Sequence, residues 1–146
     1  MIICDTREKK NEHILEFFIR YNIPHRIMKL DVADYVNASN CKIAVDRKQN
    51  LEELAKNLMN KNDHARFWRE VRRARAAGIK LIVLCEHGKN IRSIKDIADW
   101  HSRFSPVSGR NLMDEIYRVQ IAYGVEFMFC EKRQTAKRIL ELLGRD

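Results

Sequence analysis

The sequence IAVDRK, residues 43–48, is the most informative segment of the chain. Its first half is apolar, and its second half consists of three charged residues, Asp46, Arg47 and Lys48. In a β-strand, residues i and i+2 project from the same face, so Asp46 and Lys48 should stand side by side, roughly 7 Å apart along the backbone. The pattern therefore predicts a strand that carries a carboxylate and an ammonium group on one wall.

A second acidic residue precedes this strand, on the segment ADYVN at residues 33–37. The intervening residues 38–40, Ala-Ser-Asn, are typical of a turn. If this turn closes a hairpin, Asp34 returns to within a residue or two of the position opposite Asp46. We therefore expect two carboxylates and a lysine to meet at the end of a hairpin.

This grouping favours chemistry with a divalent cation. Two neighbouring carboxylates suit Mg²⁺ or Mn²⁺, with water and phosphate oxygens in the remaining octahedral positions. Such a cation would neutralise charge on a scissile phosphate and lower the pKa of a bound water. Lys48 would orient that water or stabilise the developing negative charge. We predict Asp34, Asp46 and Lys48 as the catalytic centre, although an alternating strand of this kind also occurs on ordinary solvated surfaces.

The segment Asp5–Glu8, which follows the first apolar run, is predicted to support this centre. Asp5 and Glu8 could each add a direct or water-mediated metal contact, and we count Asp5 with the two hairpin acids as a metal ligand. Arg7 and Arg47 would grip phosphate or orient the acids.

The rest of the hydrophobic pattern alternates between strand and helix periods. It predicts an α/β fold with a mixed central sheet flanked by helices, formed as one domain over residues 1–146. Residues 25–48 are expected to form a β-meander. The predicted strands are residues 1–4, 25–30, 34–37, 41–48, 79–85 and 125–130, and the predicted helices are residues 11–21, 51–59, 63–77, 94–101, 109–123 and a closing helix with its apolar stripe between residues 136 and 143.

The charge of the chain points to a polyanionic partner. It has 28 Lys and Arg against 20 Asp and Glu, a formal net charge of +8, although many proteins are basic without binding nucleic acid. Arg66, Arg69 and Arg73 recur at helical spacing and are predicted to contact a DNA backbone. The alternative is a solvated helix face on which Glu70 is a local partner of the arginines.

Other features narrow the class of protein. No apolar run is long enough for a membrane span, and the first residues do not have the pattern of a signal peptide, so we expect an intracellular protein. The four cysteines are far apart and should be reduced and mostly buried. Cys85-Glu86-His87 has no second half with zinc-ligand spacing, so no zinc site is predicted.

Three short motifs together resemble one known family. Residues 5–8 match an opening D-x-R-E, Asp34-Tyr35 match a G-D-Y motif, and Arg47-Lys48 match E-R-K-x-x-x-D. These motifs characterise the structure-specific endonucleases typified by the repair nuclease XPF and the archaeal nuclease Hef, within the PD-(D/E)xK restriction-endonuclease-like superfamily. The resemblance extends over nearly the whole chain, through Ala65-Arg66-Phe67, residues 81–86 and residues 109–123.

The resemblance implies a restriction-endonuclease-like fold, Mg²⁺ or Mn²⁺ as cofactor, and cleavage of branched or flapped DNA. We also expect no small-molecule cofactor and no membrane association. The chain departs from the family pattern at Ala33, which replaces a glycine, at Asp46, which replaces a glutamate, and at Glu52, which stands in the place of the later aspartate. A shorter acid at position 46 would draw a metal ligand back by about one methylene.

Members of this family pair through the last helices and strand of the nuclease domain, so we expect a homodimer. Met113, Ile116, Tyr117 and Ile121 widen the apolar face of the helix at residues 109–123 and would supply the contact, unless the helix near Ile94 covers that face. Two other functions stay open. One is a catalytically silent subunit that binds DNA or an active partner, and the other is a basic adaptor for RNA or protein.

Overall fold

A computed structural model describes residues 1–88 and 90–144 of the chain. Within these ranges the strands are β1 (Ile2–Cys4), β2 (His25–Ile27), β3 (Tyr35–Asn37), β4 (Asn40–Lys48), β5 (Lys80–Glu86) and β6 (Glu126–Cys130). The α-helices are α1 (Glu12–Arg20), α2 (Leu51–Met59), α3 (Lys61–Ala76), α4 (Gly109–Tyr123) and α5 (Thr135–Leu143), and two short 3-10 helices lie at Ile94–Ile97 and Lys132–Gln134.

The strands form one mixed sheet in the order β2-β1-β3-β4-β5-β6. β1 pairs in parallel with β2, and β4, β5 and β6 run parallel to one another, whereas β3 is antiparallel to both of its neighbours. This topology confirms the predicted mixed central sheet. The predicted meander is wrong, because β1 lies between β2 and β3. The helical crossover α1 brings β2 back parallel to β1, so the only hairpin in the segment 25–48 is β3–β4.

The sheet has helices on both faces. α2, α3 and α4 cover one face with a cluster of buried side chains that includes Leu54, Phe67 and Ile116. α1 and α5 cover the other face through residues such as Phe18 and Ile139. Side chains alternate between the faces along each strand, so β4 sends Ala44 into the first cluster and Val45 into the second.

Two details differ from or add to the expectations. The helix predicted at residues 94–101 is only the single 3-10 turn Ile94–Ile97, because the backbone at Ile97 and Trp100 packs directly against Gly109 at the start of α4. All four cysteines are free thiols, and three of them are buried, as predicted. Among the described residues, no helix is both long and apolar enough to cross a membrane.

Candidate active site

The β3–β4 hairpin brings the two predicted acids opposite each other. Its register pairs Tyr35 with Val45, so the next step along the hairpin sets Asp34 against Asp46. The Asp34 N–H donates to the Val45 carbonyl at 3.0 Å, and Asp34 Oδ2 accepts from the Arg47 N–H at 2.8 Å. The opposition of the two acids predicted from the turn is therefore present in the structure.

The residue before Asp34 has an unusual backbone conformation. Ala33 has a φ of 60°, in the left-handed region that costs a residue with a Cβ roughly 1–2 kcal/mol. This geometry explains why glycine suits the position in the family pattern. The Ala33 N–H donates to the Glu70 carboxylate of α3, so the strained turn is tied to the helix that packs beside it.

Lys48 lies on the same face of β4 as Asp46, as predicted. Its Nζ is 3.1 Å from Asp46 Oδ2 and donates to Asn57 Oδ1 of α2 at 3.0 Å. The side chain is only 9% exposed. Burial lowers the pKa of Lys48, but the charges of Asp46 and Asp34 outweigh it and raise the pKa above the ordinary value. Lys48 is thus a buried, charged ammonium group.

The pKa values of the two acids are shifted in opposite directions. Burial and the charge of Asp46 raise the pKa of Asp34 well above its usual range. Burial also acts against ionisation of Asp46, but the adjacent Lys48 outweighs it and lowers the pKa of Asp46. The pair is therefore prone to hold a proton on Asp34, because two buried carboxylates that touch cannot both ionise freely.

These two carboxylates fit a divalent cation. A cation between them would relieve the repulsion that raises the pKa of Asp34, and one or two carboxylates completed by water and phosphate oxygens are the usual protein contribution to a Mg²⁺ site. Among residues 1–88 and 90–144, no group of three or more His, Cys, Asp or Glu side chains has the arrangement of a complete metal cage.

A third acid, Glu70 of α3, lines the same cleft, which has a volume of about 410 Å³. Its carboxylate is hydrogen-bonded to Asp46. Burial, followed by the charge of Asp46, raises the pKa of Glu70 to about 9. From the sequence, Glu70 was expected only as a neighbour of arginines. Its spacing of four from Arg66 places both on one helix face, but only the packing of α3 beside the hairpin shows which face borders the cleft.

Arg47 points to the opposite face of the sheet from Asp46 and Lys48. Its side chain is fully buried, with Nε 2.7 Å from Glu8 Oε2 and Nη1 2.6 Å from Glu86 Oε1. Glu8 also accepts from the Tyr35 hydroxyl at 2.6 Å. Two roles were considered for Arg47, binding phosphate and orienting acids. These contacts fit the second role, with Glu8 and Glu86 as the acids, because a guanidinium enclosed in this way has no free N–H groups for a phosphate.

Asp5 does not line the cleft that contains the hairpin acids. Its Oδ2 accepts from Arg7 Nε at 2.8 Å, and its Oδ1 accepts from the Leu30 N–H at 2.7 Å. These bonds outweigh the effect of burial and lower the pKa of Asp5. Both oxygens are therefore occupied, and the contacts support a role for Asp5 in holding the 5–8 turn rather than the role of metal ligand expected for it. Arg7 is 64% exposed and lines the cleft.

The arginines predicted on α3 are not equivalent. Arg66 lines the cleft and forms an ion pair with Asp63. Arg73 is exposed, and its Nε donates to the Asp31 carbonyl at 3.1 Å. Arg69 is exposed on the same helix but does not line the cleft. Of the three arginines, only Arg66 therefore borders the cleft, and the other two lie on the exposed surface of α3.

Glu52, the counterpart of the later aspartate in the family pattern, lies outside the cleft. Its carboxylate accepts from Ser102 Oγ at 2.7 Å and from the Arg103 N–H at 2.8 Å. Its neighbour Glu53 lines the cleft instead. Glu52 thus anchors the loop that precedes α4.

Two solved structures have the same fold over nearly the whole chain. XPF from Aeropyrum pernix has a TM-score of 0.72 at 20% identity, and the match covers 97% of this chain. The structure of XPF from Aeropyrum pernix in complex with DNA has a TM-score of 0.69 at 19% identity, also over 97% of this chain. This chain spans 62% of the length of each. Among curated proteins no match was found.

These likenesses confirm the predicted restriction-endonuclease-like fold. The sequence also matches the ERCC4 domain over residues 4–143. The matched range contains all three motif segments, residues 5–8, 34–35 and 47–48. The resemblance to XPF-type nucleases is confirmed, and the chain belongs to the ERCC4 domain family.

Proposed function

We propose that the chain is a metal-dependent DNA endonuclease that hydrolyses phosphodiester bonds. The observation that carries the proposal is the meeting of Asp34, Asp46 and Lys48 at one end of the β3–β4 hairpin, inside an open cleft. Membership of the ERCC4 domain family supports the same chemistry. The described residues that line the cleft include no serine or cysteine, which favours attack by water over attack by a side chain.

Asp34 and Asp46 would hold Mg²⁺ or Mn²⁺, which supplies charge neutralisation at the phosphate and a more acidic bound water. Lys48 keeps its charge in the buried site, and Asn57 and Asp46 fix its Nζ. In this position Lys48 would orient the attacking water or stabilise negative charge that develops on the phosphate. Glu70 is placed to exchange a proton with Asp46.

The chemistry is tested by Asp46→Asn and Lys48→Ala, with the exposed Asp99→Asn as a matched control. The cleavage activity of each active-site variant should fall at least roughly 10- to 100-fold, as it does when residues around metal sites are changed. The circular dichroism spectrum should stay that of the native fold. Isothermal titration of Mn²⁺ gives a second readout, since Asp46→Asn should weaken metal binding and Asp99→Asn should not. Full cleavage by Asp46→Asn, or undiminished cleavage in excess EDTA, would refute the assignment.

We propose that DNA crosses the cleft beside the basic face of α3. Phosphate binding releases counterions, so log affinity should fall linearly with log salt, and removal of one phosphate-binding charge should lower the slope by about one unit. DNA binding measured by fluorescence anisotropy in Ca²⁺ should therefore show a smaller slope of log affinity against log salt for Arg69→Ala and for Arg73→Ala. The effect should be about equal for DNAs of unrelated sequence. Arg66→Ala should also reduce turnover, because Arg66 lines the cleft. Arg20→Ala, an exposed arginine on the opposite layer, is the control, and unchanged slopes for both α3 variants would make the helix an ordinary solvated face.

The preferred substrate would be branched or flapped DNA. This part of the proposal rests on the family, with support from the similar XPF structure in complex with DNA. A panel of labelled fork, flap, junction and linear duplexes, incubated with Mg²⁺, should show the fastest cleavage next to a branch. Equal rates on linear and branched DNA would contradict the preference, and binding without cleavage would favour the silent-subunit alternative.

We propose that two copies pair through α4 and the open edge of β6. Ile121 is 86% exposed, and Tyr117 lies in a groove of about 570 Å³ that also includes Phe127, Met128 and Phe129 of β6. Ile116 was expected to contribute to the dimer contact, but it is fully buried in the core and cannot face a partner. Met113 and Tyr117 are partly exposed. The mass by light scattering at tens of micromolar should be that of a dimer and fall for Ile121→Glu, whereas a monomeric wild type would refute the pairing.

A further inference from the structure

One large aromatic side chain stands clear of the protein. Phe104 is 85% exposed, at the tip of the loop of residues 102–108 between the 3-10 helix Ile94–Ile97 and α4. Single exposed apolar side chains are common on protein surfaces, so exposure alone assigns Phe104 no role. Its surroundings do, because the ring stands beside a cavity and a basic side chain rather than on a plain surface.

The loop that displays Phe104 is held firmly. Ser102 Oγ donates to Glu52 Oε2 at 2.7 Å and accepts from the N–H groups of Phe104 and Ser105, each at 3.1 Å. The Ser102 N–H donates to the Val107 carbonyl at 3.0 Å. The base of the loop is thus closed on itself and fastened to α2, so the backbone that carries Phe104 is held in place.

The ring borders a cavity that adjoins the proposed catalytic cleft. This cavity has a volume of about 730 Å³ and lies between the loop and α2, with Met59, Val107 and Phe104 among its apolar walls. Glu53 and Lys56 of α2 line both this cavity and the cleft that contains Asp34 and Asp46. A DNA strand that leaves the cleft across α2 would therefore meet Phe104 next.

The charges at this place suit a nucleic acid strand. Lys56 is 66% exposed, with its Nζ 3.9 Å from Asp63 Oδ2, and Arg103, which precedes Phe104 in the chain, is exposed. Two acids, Glu52 and Glu53, also line the cavity, and both accept hydrogen bonds from the protein: Glu52 from Ser102 Oγ and the Arg103 N–H, and Glu53 from the Gln49 N–H. Exposed aromatic rings flanked by basic side chains are the usual platform for unpaired bases, because every base has a π-face while the phosphates pair with the cations.

We propose that Phe104 stacks on an unpaired base of the DNA substrate next to the cleavage cleft. The proposal rests on the proposed function and deepens it, because it supplies a contact that a fully paired duplex cannot make. Recognition of branched or flapped DNA would then come in part from this chain, through an element that senses unpaired bases directly.

The test compares Phe104→Ala and Phe104→Trp with the wild type for binding to two DNAs of one length in Ca²⁺. One DNA is a fork with 2-aminopurine as the unpaired base next to the junction, and the other is a linear duplex. Stacking on an aromatic side chain contributes about 1–3 kcal/mol per base, so Phe104→Ala should weaken fork binding about tenfold and leave duplex binding unchanged. Phe104→Trp should restore the affinity for the fork, and 2-aminopurine fluorescence should change on binding of the wild type but not of Phe104→Ala.

Tyr21→Ala is the matched control, because Tyr21 is an aromatic residue with 52% exposure at the end of α1, on the opposite layer. It should bind both DNAs like the wild type. Equal losses on fork and duplex, or no loss on either, would overturn the stacking role while leaving the endonuclease proposal intact. A fall in oligomeric mass for Phe104→Ala would overturn it in favour of contact with a second copy, and a wild type that binds neither DNA would refute both proposals.

Discussion

Replacement of Arg47 by methionine should destabilise the protein far more than an ordinary change of one charge. The guanidinium is fully buried, and it donates to Glu8 Oε2 at 2.7 Å, Glu8 Oε1 at 3.0 Å, Glu86 Oε1 at 2.6 Å and the Lys9 carbonyl at 2.6 Å. Glu8 and Glu86 have side chains that are 6% and 5% exposed. Methionine keeps much of the volume but removes the guanidinium that bridges the two buried carboxylates, and the ring of His13, with Nε2 2.6 Å from Glu86 Oε2, remains beside one of them.

Breaking a buried ion pair by removal of one partner costs about 3–5 kcal/mol, and here one cation serves two acids. We therefore expect Arg47→Met to lower the free energy of unfolding by about 4 kcal/mol, a large fraction of the 5–15 kcal/mol typical of a domain. The melting temperature should fall by about 10 °C, because each kcal/mol shifts it by roughly 2–4 °C in a domain of this size.

The assay is urea unfolding followed by far-ultraviolet circular dichroism, in EDTA at neutral pH. Arg138→Met is the matched control, since Arg138 pairs with Glu141 at 3.2 Å on the surface, with 38% and 49% exposure, and such pairs contribute at most about 1 kcal/mol. Adding Glu8→Gln to Arg47→Met should recover part of the stability, because it removes one of the orphaned charges.

A decrease below about 1 kcal/mol for Arg47→Met, or no coupling to Glu8→Gln, would show that Arg47 is not the structural centre of this network. DNA binding is informative as well. If Arg47 orients the acids rather than gripping phosphate, the variant should have an unchanged salt dependence of DNA binding in its folded fraction. A slope reduced by about one unit would instead indicate that Arg47 binds a phosphate.

Buried polar groups and close packing lead to three further expected outcomes. Glu70 has a pKa raised from its ordinary 4.5 to about 9, so the folded, metal-free protein keeps a proton that the unfolded chain releases, and its stability should decline as pH rises from about 4.5 to 9. In urea titrations in EDTA, Glu70→Gln should reduce this dependence of stability on pH. An identical dependence in the variant would contradict the raised pKa. Asp5→Asn should lower the free energy of unfolding by about 1–3 kcal/mol near neutral pH, because it weakens the bonds to Arg7 and the Leu30 N–H. Because the pKa of Asp5 is lowered in the folded state, the difference in stability between variant and wild type should narrow as pH falls through that pKa. A constant difference down to acid pH would argue against this role of the Asp5 charge. Gly109→Ala should lower the free energy of unfolding by about 2–3 kcal/mol, because its Cβ would overlap with backbone atoms of Ile97 and Trp100. Gly88→Ala, with nothing within 4 Å of its Cβ, should leave the stability nearly unchanged. Equal melting temperatures for the two variants would rule out the clash.

Periodicity in the sequence was sufficient to predict nearly every helix and strand, because each element buries one face and its apolar spacing reports that face. It also predicted the centre of the site. Alternation along β4 puts Asp46 beside Lys48, and a turn at residues 38–40 brings Asp34 opposite, so three residues close in sequence meet through local geometry alone. The same alternation sends Arg47 to the other face, but the buried groups that it meets there, Glu8 and Glu86, come from distant segments.

Strand order and the outer part of the site depended on tertiary structure. The local sequence does not predict that β1 lies between β2 and β3, because the helical crossover and the burial of both sheet faces determine which strands pair. Glu70 lines the site only because α3 packs beside the hairpin. Asp5 does not line the cleft, and its oxygens accept from Arg7 and the Leu30 N–H. Residue type and spacing thus determined which side chains can meet within a hairpin, whereas long-range packing decided which carboxylates face the cleft and which are buried in structural ion pairs.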